Sequence, residues 1–136
     1  MLSLGLKFTT MKKIIRTENA PAPIGPYNQA VAFNGMVYAS GQIAINPKTG
    51  DLEIDDLAHE THLVMKNLQA VLEAAGSDLS MIIKTSIFLS DMNLFQAVNE
   101  VYGSYFESDF PARETVAVKG LPKGVNVEIS AVAAVK

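Results

Sequence analysis

Cysteine is absent from the 136 residues, and that absence removes disulfides, thiolate metal sites and thiol nucleophiles together. A reducing compartment such as the cytoplasm is compatible with it. Charge is scarce too. Charged residues make up 18% of the chain and hydrophobic residues 49%, a balance that excludes a disordered chain. The net charge is −3 and no long basic stripe is present, which argues against a dedicated nucleic-acid binder. No apolar run approaches the ~20 residues of a membrane-spanning helix. Histidine occurs twice.

What remains is one domain long enough to bury a sizeable core. So little charge on a small globule suggests that another copy of the chain covers part of its apolar surface. Residues 11–136 read as the folded domain. The first ten, MLSLGLKFTT, lack the apolar centre and cleavage site of a secretory signal. They are expected to form a disordered or dispensable extension ahead of Met11-Lys12-Lys13, a short targeting segment being the alternative.

The pattern of elements reads β-β-β-α-β-α-β-β. Lys12 to Thr17, Tyr27 to Phe33 and Met36 to Ser40 are β-prone, the last two joined by Asn34-Gly35, a dipeptide that tolerates the positive φ of a tight hairpin. Asn46 to Gly50 makes a second turn. Asp55 and Asp56 offer caps to a helix striped by Leu57, Val64, Leu68, Val71, Leu72 and Ala75, and Gly76 suits its left-handed exit. Met81 to Leu89 alternates as a strand, with Met81, Ile83, Ile87 and Leu89 expected on one face. A second helix follows Ser90-Asp91, striped by Phe95, Val98, Tyr102, Tyr105 and Phe106. Glu114 to Val118 and Val125 to Val135 are two further strands. This order predicts an α+β fold, a mixed sheet with two helices packed on one face. The last strand is apolar on one side and becomes so on the other towards its end, which points to association through the sheet.

Few residues carry chemistry. His59 and His62 lack HExxH spacing and a third ligand, and both lie off the apolar stripe, so they read as a solvated face rather than a metal site. Ser40-Gly41-Gln42 lacks the surroundings of a nucleophile elbow. Ser40 therefore reads as a positioning group. The glycines form no phosphate-binding loop, and no cofactor is implied. Arg113 follows Phe110-Pro111-Ala112 at the mouth of a strand, where a planar fork of donors suits a carboxylate bidentately. Two readings stand: a carboxylate-binding group, or half of an ion pair with Glu114 or Glu128. Glu128 reads as a half-buried base towards water or as an ordinary strand carboxylate. Tyr27 reads as a core aromatic or a hydroxyl donor.

The segments NAPAPIGPYNQA, YASGQIAINPKTG, NLQAVLEAAG, FQAVNEVYGSYF, FPARETVAV and LPKGVNVEISAVA together resemble the RidA/YjgF family of reactive-intermediate deaminases, in order from about Lys12 to Lys136. The resemblance implies a chorismate-mutase-like fold and a homotrimer whose sheets form a central barrel, with a site in each cleft between subunits. It implies hydrolysis of 2-imino and 2-enamino acids, such as 2-aminoacrylate and 2-aminocrotonate, to 2-oxo acids and ammonia. Those substrates arise when pyridoxal-phosphate-dependent serine and threonine dehydratases act. The resemblance assigns Arg113 to the substrate carboxylate and Glu128 to the water or leaving amine. Tyr27, Ser40, Gly41 and Asn99 would line the cleft, with no metal and no cofactor. Thr115 stands where some members carry a cysteine. A non-catalytic carboxylate-binding or chaperone-like trimer and an RNA-cleaving translation inhibitor are the alternatives within the same resemblance.

Overall fold

A computed structural model describes residues 11–136; the expectation for the first ten residues lies outside them. Six strands and two α-helices appear in the expected order: β1 (Lys13–Ile15), β2 (Ala30–Phe33), β3 (Met36–Gln42), α1 (Leu57–Ala74), β4 (Ile82–Leu89), α2 (Phe95–Gly103), β5 (Ala112–Ala117) and β6 (Val127–Ala134). They form one sheet in the order β1-β2-β3-β6-β4-β5. The β4–β5 pair is parallel and every other pair is antiparallel. The last strand of the chain thus enters the middle of the sheet, while β5 forms an edge.

Local chemistry explains the frame. The β2–β3 hairpin turns through Asn34 and Gly35 at φ of 50° and 80°, the left-handed pair that a right-twisted hairpin needs. Asp56 caps α1 by accepting from the His59 N–H at 2.9 Å. Buried Val64, Met65, Leu68, Val71 and Leu72 recur at helical spacing on the inner face of α1, and Gly76 leaves it at a φ of 80°. Along β6, Val127, Ile129, Ala131 and Ala133 are buried while the alternate residues are half-buried. The core lies between this face and the helices, α1 packing on β3, β6 and α2. Among the described residues no helix is long and apolar enough to cross a membrane.

Two expectations change. Ile83 was expected to share a face with Ile87 and Leu89, but it is 54% exposed while Ile82 is buried. A bulge is responsible: Ile82 faces Ala133 and Lys84 faces the next residue along, Val132. One extra residue on β4 reverses the inside-outside parity before it. Tyr27, expected as a core aromatic, is 44% exposed because β2 begins only at Ala30. The preceding segment is bound instead by the buried Gln29 side chain, which exchanges hydrogen bonds with Thr17 and donates to the Ala20 and Pro21 carbonyls.

Candidate active site

Arg113 lies second on edge strand β5, opposite Thr85 of β4. Thr85 is fully buried and its hydroxyl is 2.8 Å from that of Tyr102 on α2. The Arg113 side chain therefore stands on the helix-covered face. Its Nη1 donates to Asn99 Oδ1 at 2.7 Å, and its guanidinium carbon lies 5.2 Å from the Tyr102 ring centre and 5.6 Å from that of Phe95. Both distances suit cation–π attraction. Among the described residues Arg113 makes no ion pair. Glu114 points to the opposite face, held by Lys84 at 2.9 Å and by Ser86. Within the chain Arg113 therefore pairs with neither Glu114 nor Glu128. Asn99, Tyr102, Gly103, Phe110 and Pro111 line with it an open, shallow hollow of about 400 Å³.

Glu128 occupies the other side of the sheet. It faces Phe88 of β4, between the buried Val127 and Ile129. Burial holds its carboxyl above the ordinary 4.5, since desolvation penalises the charged form. The carboxylate sits over Gly41: a Cβ there would stand 2.6 Å from Glu128 Oε2 and 2.7 Å from its Cδ. Glycine is required by this close approach rather than by its backbone angles. Around Glu128 lies a cavity of about 30 Å³, walled by Tyr27, Gln29, Gly41, Ile43 and Pro122 among others. That is room for about one or two waters. Ser40 lies beside it with its hydroxyl donated to the Asn28 carbonyl at 2.6 Å and its N–H to the Gln29 carbonyl at 2.9 Å. It ties β3 to the Tyr27 segment, a positioning contact.

The structure thus gathers the expected residues into two groups. Tyr27, Ser40, Gly41 and Glu128 form one; Arg113 and Asn99 form the other. Within one chain the two stand on opposite faces of the sheet. Thr115, two residues beyond Arg113, carries a buried hydroxyl without a hydrogen-bond partner among the described residues. The histidines belong to neither group, His59 meeting Glu53 at 2.6 Å and His62 the Tyr105 hydroxyl at 2.7 Å. Among the described residues no cluster of three metal-ligating side chains occurs.

Sequence reading missed the frame around Arg113, taking Phe95 and Tyr102 only as core stripe. A signal was present: Phe95, Asn99 and Tyr102 follow i, i+4, i+7 spacing, which puts an amide between two rings on one helix face. It also missed Glu60, a buried carboxylate on the first turns of α1.

Such a fold, a mixed six-stranded sheet with two helices on one face, defines an α+β protein whose edge strand carries an arginine that is free of carboxylate partners among the described residues. The chain belongs to the RidA/YjgF family: residues 17–135 match the family model described as Endoribonuclease L-PSP. It is 45% identical over 123 residues to the human 2-iminobutanoate/2-iminopropanoate deaminase, covering 90% of each chain. A Rid-family protein of unknown function from Yersinia pestis is 52% identical, with a TM-score of 0.89 over 92% of this chain and all of the other. E. coli TdcF with bound serine is 41% identical, with a TM-score of 0.87 over 91% of this chain and 99% of the other.

Proposed function

We propose that this protein is a 2-iminobutanoate/2-iminopropanoate deaminase, hydrolysing the imines and enamines released by pyridoxal-phosphate-dependent serine and threonine dehydratases in the cytoplasm. The observation that carries this reading is Arg113, a permanently charged fork restrained by a neutral amide and two rings, with no carboxylate partner among the described residues. The kinship with the human deaminase supports it.

In the working enzyme three copies assemble through the helix-free sheet face, where Tyr38 is 47% exposed and Val116 42%. An uncovered apolar face invites such burial. Each cleft then combines Arg113 of one subunit with Glu128 of the next. This resolves the separation of the two residues within one chain.

The enamine tautomerises to the imine, whose C2 carbon is electrophilic. Arg113 holds the carboxylate bidentately and turns C2 towards a water beside Glu128. Glu128 accepts a proton as the water oxygen bonds to C2. Addition to the N-protonated imine gives a neutral carbinolamine. Glu128 then returns the proton to its nitrogen and takes up the hydroxyl proton as the C–N bond breaks, leaving a 2-oxo acid and ammonia. Proton transfer of this kind contributes about 10²- to 10⁴-fold. The step draws only on water and these side chains.

The test couples a purified serine or threonine dehydratase to this protein and follows 2-oxo acid formation, with semicarbazide trapping the free imine. Faster 2-oxo acid release and less trapped imine are expected; no acceleration defeats the reading. Arg113→Lys keeps the charge but loses the fork, and is expected to abolish most of the effect. A second reading, small-carboxylate binding without turnover, draws support from the serine in E. coli TdcF. Saturable serine binding with no deaminase rate selects it. RNA cleavage by nuclease-free protein, without imine hydrolysis, replaces both.

A further inference from the structure

The cavity at Glu128 is built by buried polar side chains that reach its walls from below. Gln29 binds the 17–21 segment. Asn67, on α1, donates to the Ile43 and Ile45 carbonyls at 3.1 and 2.9 Å. Glu60 does the same for the strand that carries Glu128. It is fully buried, and its Oε2 accepts from the Asn126 N–H at 2.8 Å and the Val127 N–H at 3.3 Å. Its Oε1 accepts from Asn126 Nδ2 at 2.7 Å. Among the described residues no cation lies within ion-pair distance of it.

An apolar side chain would fill this volume without desolvating a carboxylate, and buried charge is weak evidence for stability. What distinguishes Glu60 is the address of its donors. All three belong to the two residues that lead directly into Glu128. On the opposite side Gly41 leaves less than an ordinary van der Waals gap for any side chain. The Glu128 carboxylate is thereby bracketed, Gly41 in front and the strand origin pinned behind.

We infer that Glu60 is a positioning residue for Glu128, fixing the start of β6 so that the Glu128 carboxylate is held over Gly41 at the small cavity. Glu60 reaches it through the backbone of Asn126 and Val127 and the Asn126 side chain, without touching it. The kinetic consequence rests on the deaminase reading; the placement of Glu128 does not. Among the described residues Tyr27 is the one other titratable side chain lining that cavity, so a change in Glu128 titration is readily attributed.

The test compares Glu60→Met, which keeps volume but accepts no N–H bond, with Glu60→Gln, whose carbonyl oxygen still accepts from both backbone N–H groups. The Glu128 carboxyl is titrated by carbon-13 NMR, assigned by its loss in Glu128→Gln. In Glu60→Met the titration is expected to fall back towards the ordinary 4.5 as the strand origin loosens and water enters. Its kcat for imine hydrolysis is expected to drop about 10- to 100-fold through misplacement of the base, with KM unchanged because Arg113 is untouched. Glu60→Gln is expected to retain the wild-type titration and most of kcat. An unchanged Glu128 titration in folded Glu60→Met, or equal behaviour of the two variants, overturns the inference. Should Glu60→Met fail to fold, amide hydrogen exchange in the wild-type protein decides instead: Asn126 and Val127 N–H groups that exchange as fast as exposed loop amides are not pinned by Glu60, and that result overturns the inference equally. If the wild-type protein hydrolyses no imine, the functional reading fails while the NMR comparison still decides the role of Glu60.

Discussion

Asn99 Oδ1 accepts from Arg113 Nη1 at 2.7 Å, so a neutral amide on α2 restrains a cation on β5 without cancelling its charge. A carboxylate there would hold the guanidinium as firmly and occupy it. The distinction gives opposite expectations for two small changes. Asn99→Leu frees one side of the fork and is expected to raise KM about tenfold, the worth of one charged hydrogen bond. Asn99→Asp pairs with the fork and competes with the substrate carboxylate, for an expected loss of about 100-fold or more. Steady-state kinetics on the enzymatically generated imine measures both. If Asn99→Asp binds substrate as well as Asn99→Leu does, Arg113 is not the carboxylate site.

Gly41 and Glu128 make the closest approach in the other half of the site. A Cβ at Gly41 would stand 2.6 Å from Glu128 Oε2 and 2.9 Å from its Cγ, inside any tolerated contact. The carboxylate can swing away, since it is the far end of a side chain, so the protein is expected to fold. Gly41→Ala should therefore lower kcat about 100-fold through displacement of the base and leave the melting temperature nearly unchanged. A large fall in melting temperature with normal kcat in the folded fraction would mean that Gly41 serves packing alone.

The raised titration of Glu128 has consequences of a definite sign. Between the ordinary 4.5 and its higher value in the fold, the folded protein binds more protons at this site than the unfolded chain. Its contribution to stability is thus present at low pH and lost as pH rises through the folded value. Glu128→Gln is expected to remove that slope and to be the more stable protein at neutral pH. If Glu128 is the base proposed above, activity moves the other way, since a base works deprotonated: kcat should rise with pH along a limb set above 4.5. Denaturant melts of both proteins across this range, beside the wild-type pH–rate profile, check both parts. A wild-type limb at or below the ordinary value would contradict them.

Local signals in the chain were legible where the physics is local. Asn34-Gly35 and Gly76 carry positive φ wherever a turn or helix exit demands it, and the alternation of β6 survives because the extra residues of both its irregular pairings lie on β3 and β4. The bulge at Ile82–Lys84 was hidden, since it depends on where β4 meets β6 and not on the residues of β4 themselves. Arg113 was recognisable as a fork at a strand mouth, and Glu128 as a strand carboxylate. Their separation by the sheet was not legible, because it follows from β6 inserting beside β4 and from the parallel β4–β5 register. Glu60 was invisible for a similar reason: its partners are Asn126 and Val127, 66 and 67 residues away.

That separation yields the most direct test of assembly. Thr85 aligns with both Arg113 and Ala131 on the helix-covered face, and Phe88 aligns with Glu128 on the other, so no side-chain rotation within a chain joins Arg113 to Glu128. If each site draws Arg113 from one subunit and Glu128 from its neighbour, two dead variants can rescue one another. Arg113→Ala and Glu128→Gln are each expected to be inactive alone. When they are unfolded, mixed in equal amounts and refolded together, a ring holding both kinds of chain contains one interface with both native residues. Random assembly of three chains then restores roughly a quarter of wild-type activity. Mixing without dissociation should restore nothing, which controls for contaminating activity. Complete absence of rescue in mixed trimers of verified composition would place both functional groups of each site within a single chain, against the geometry of the sheet.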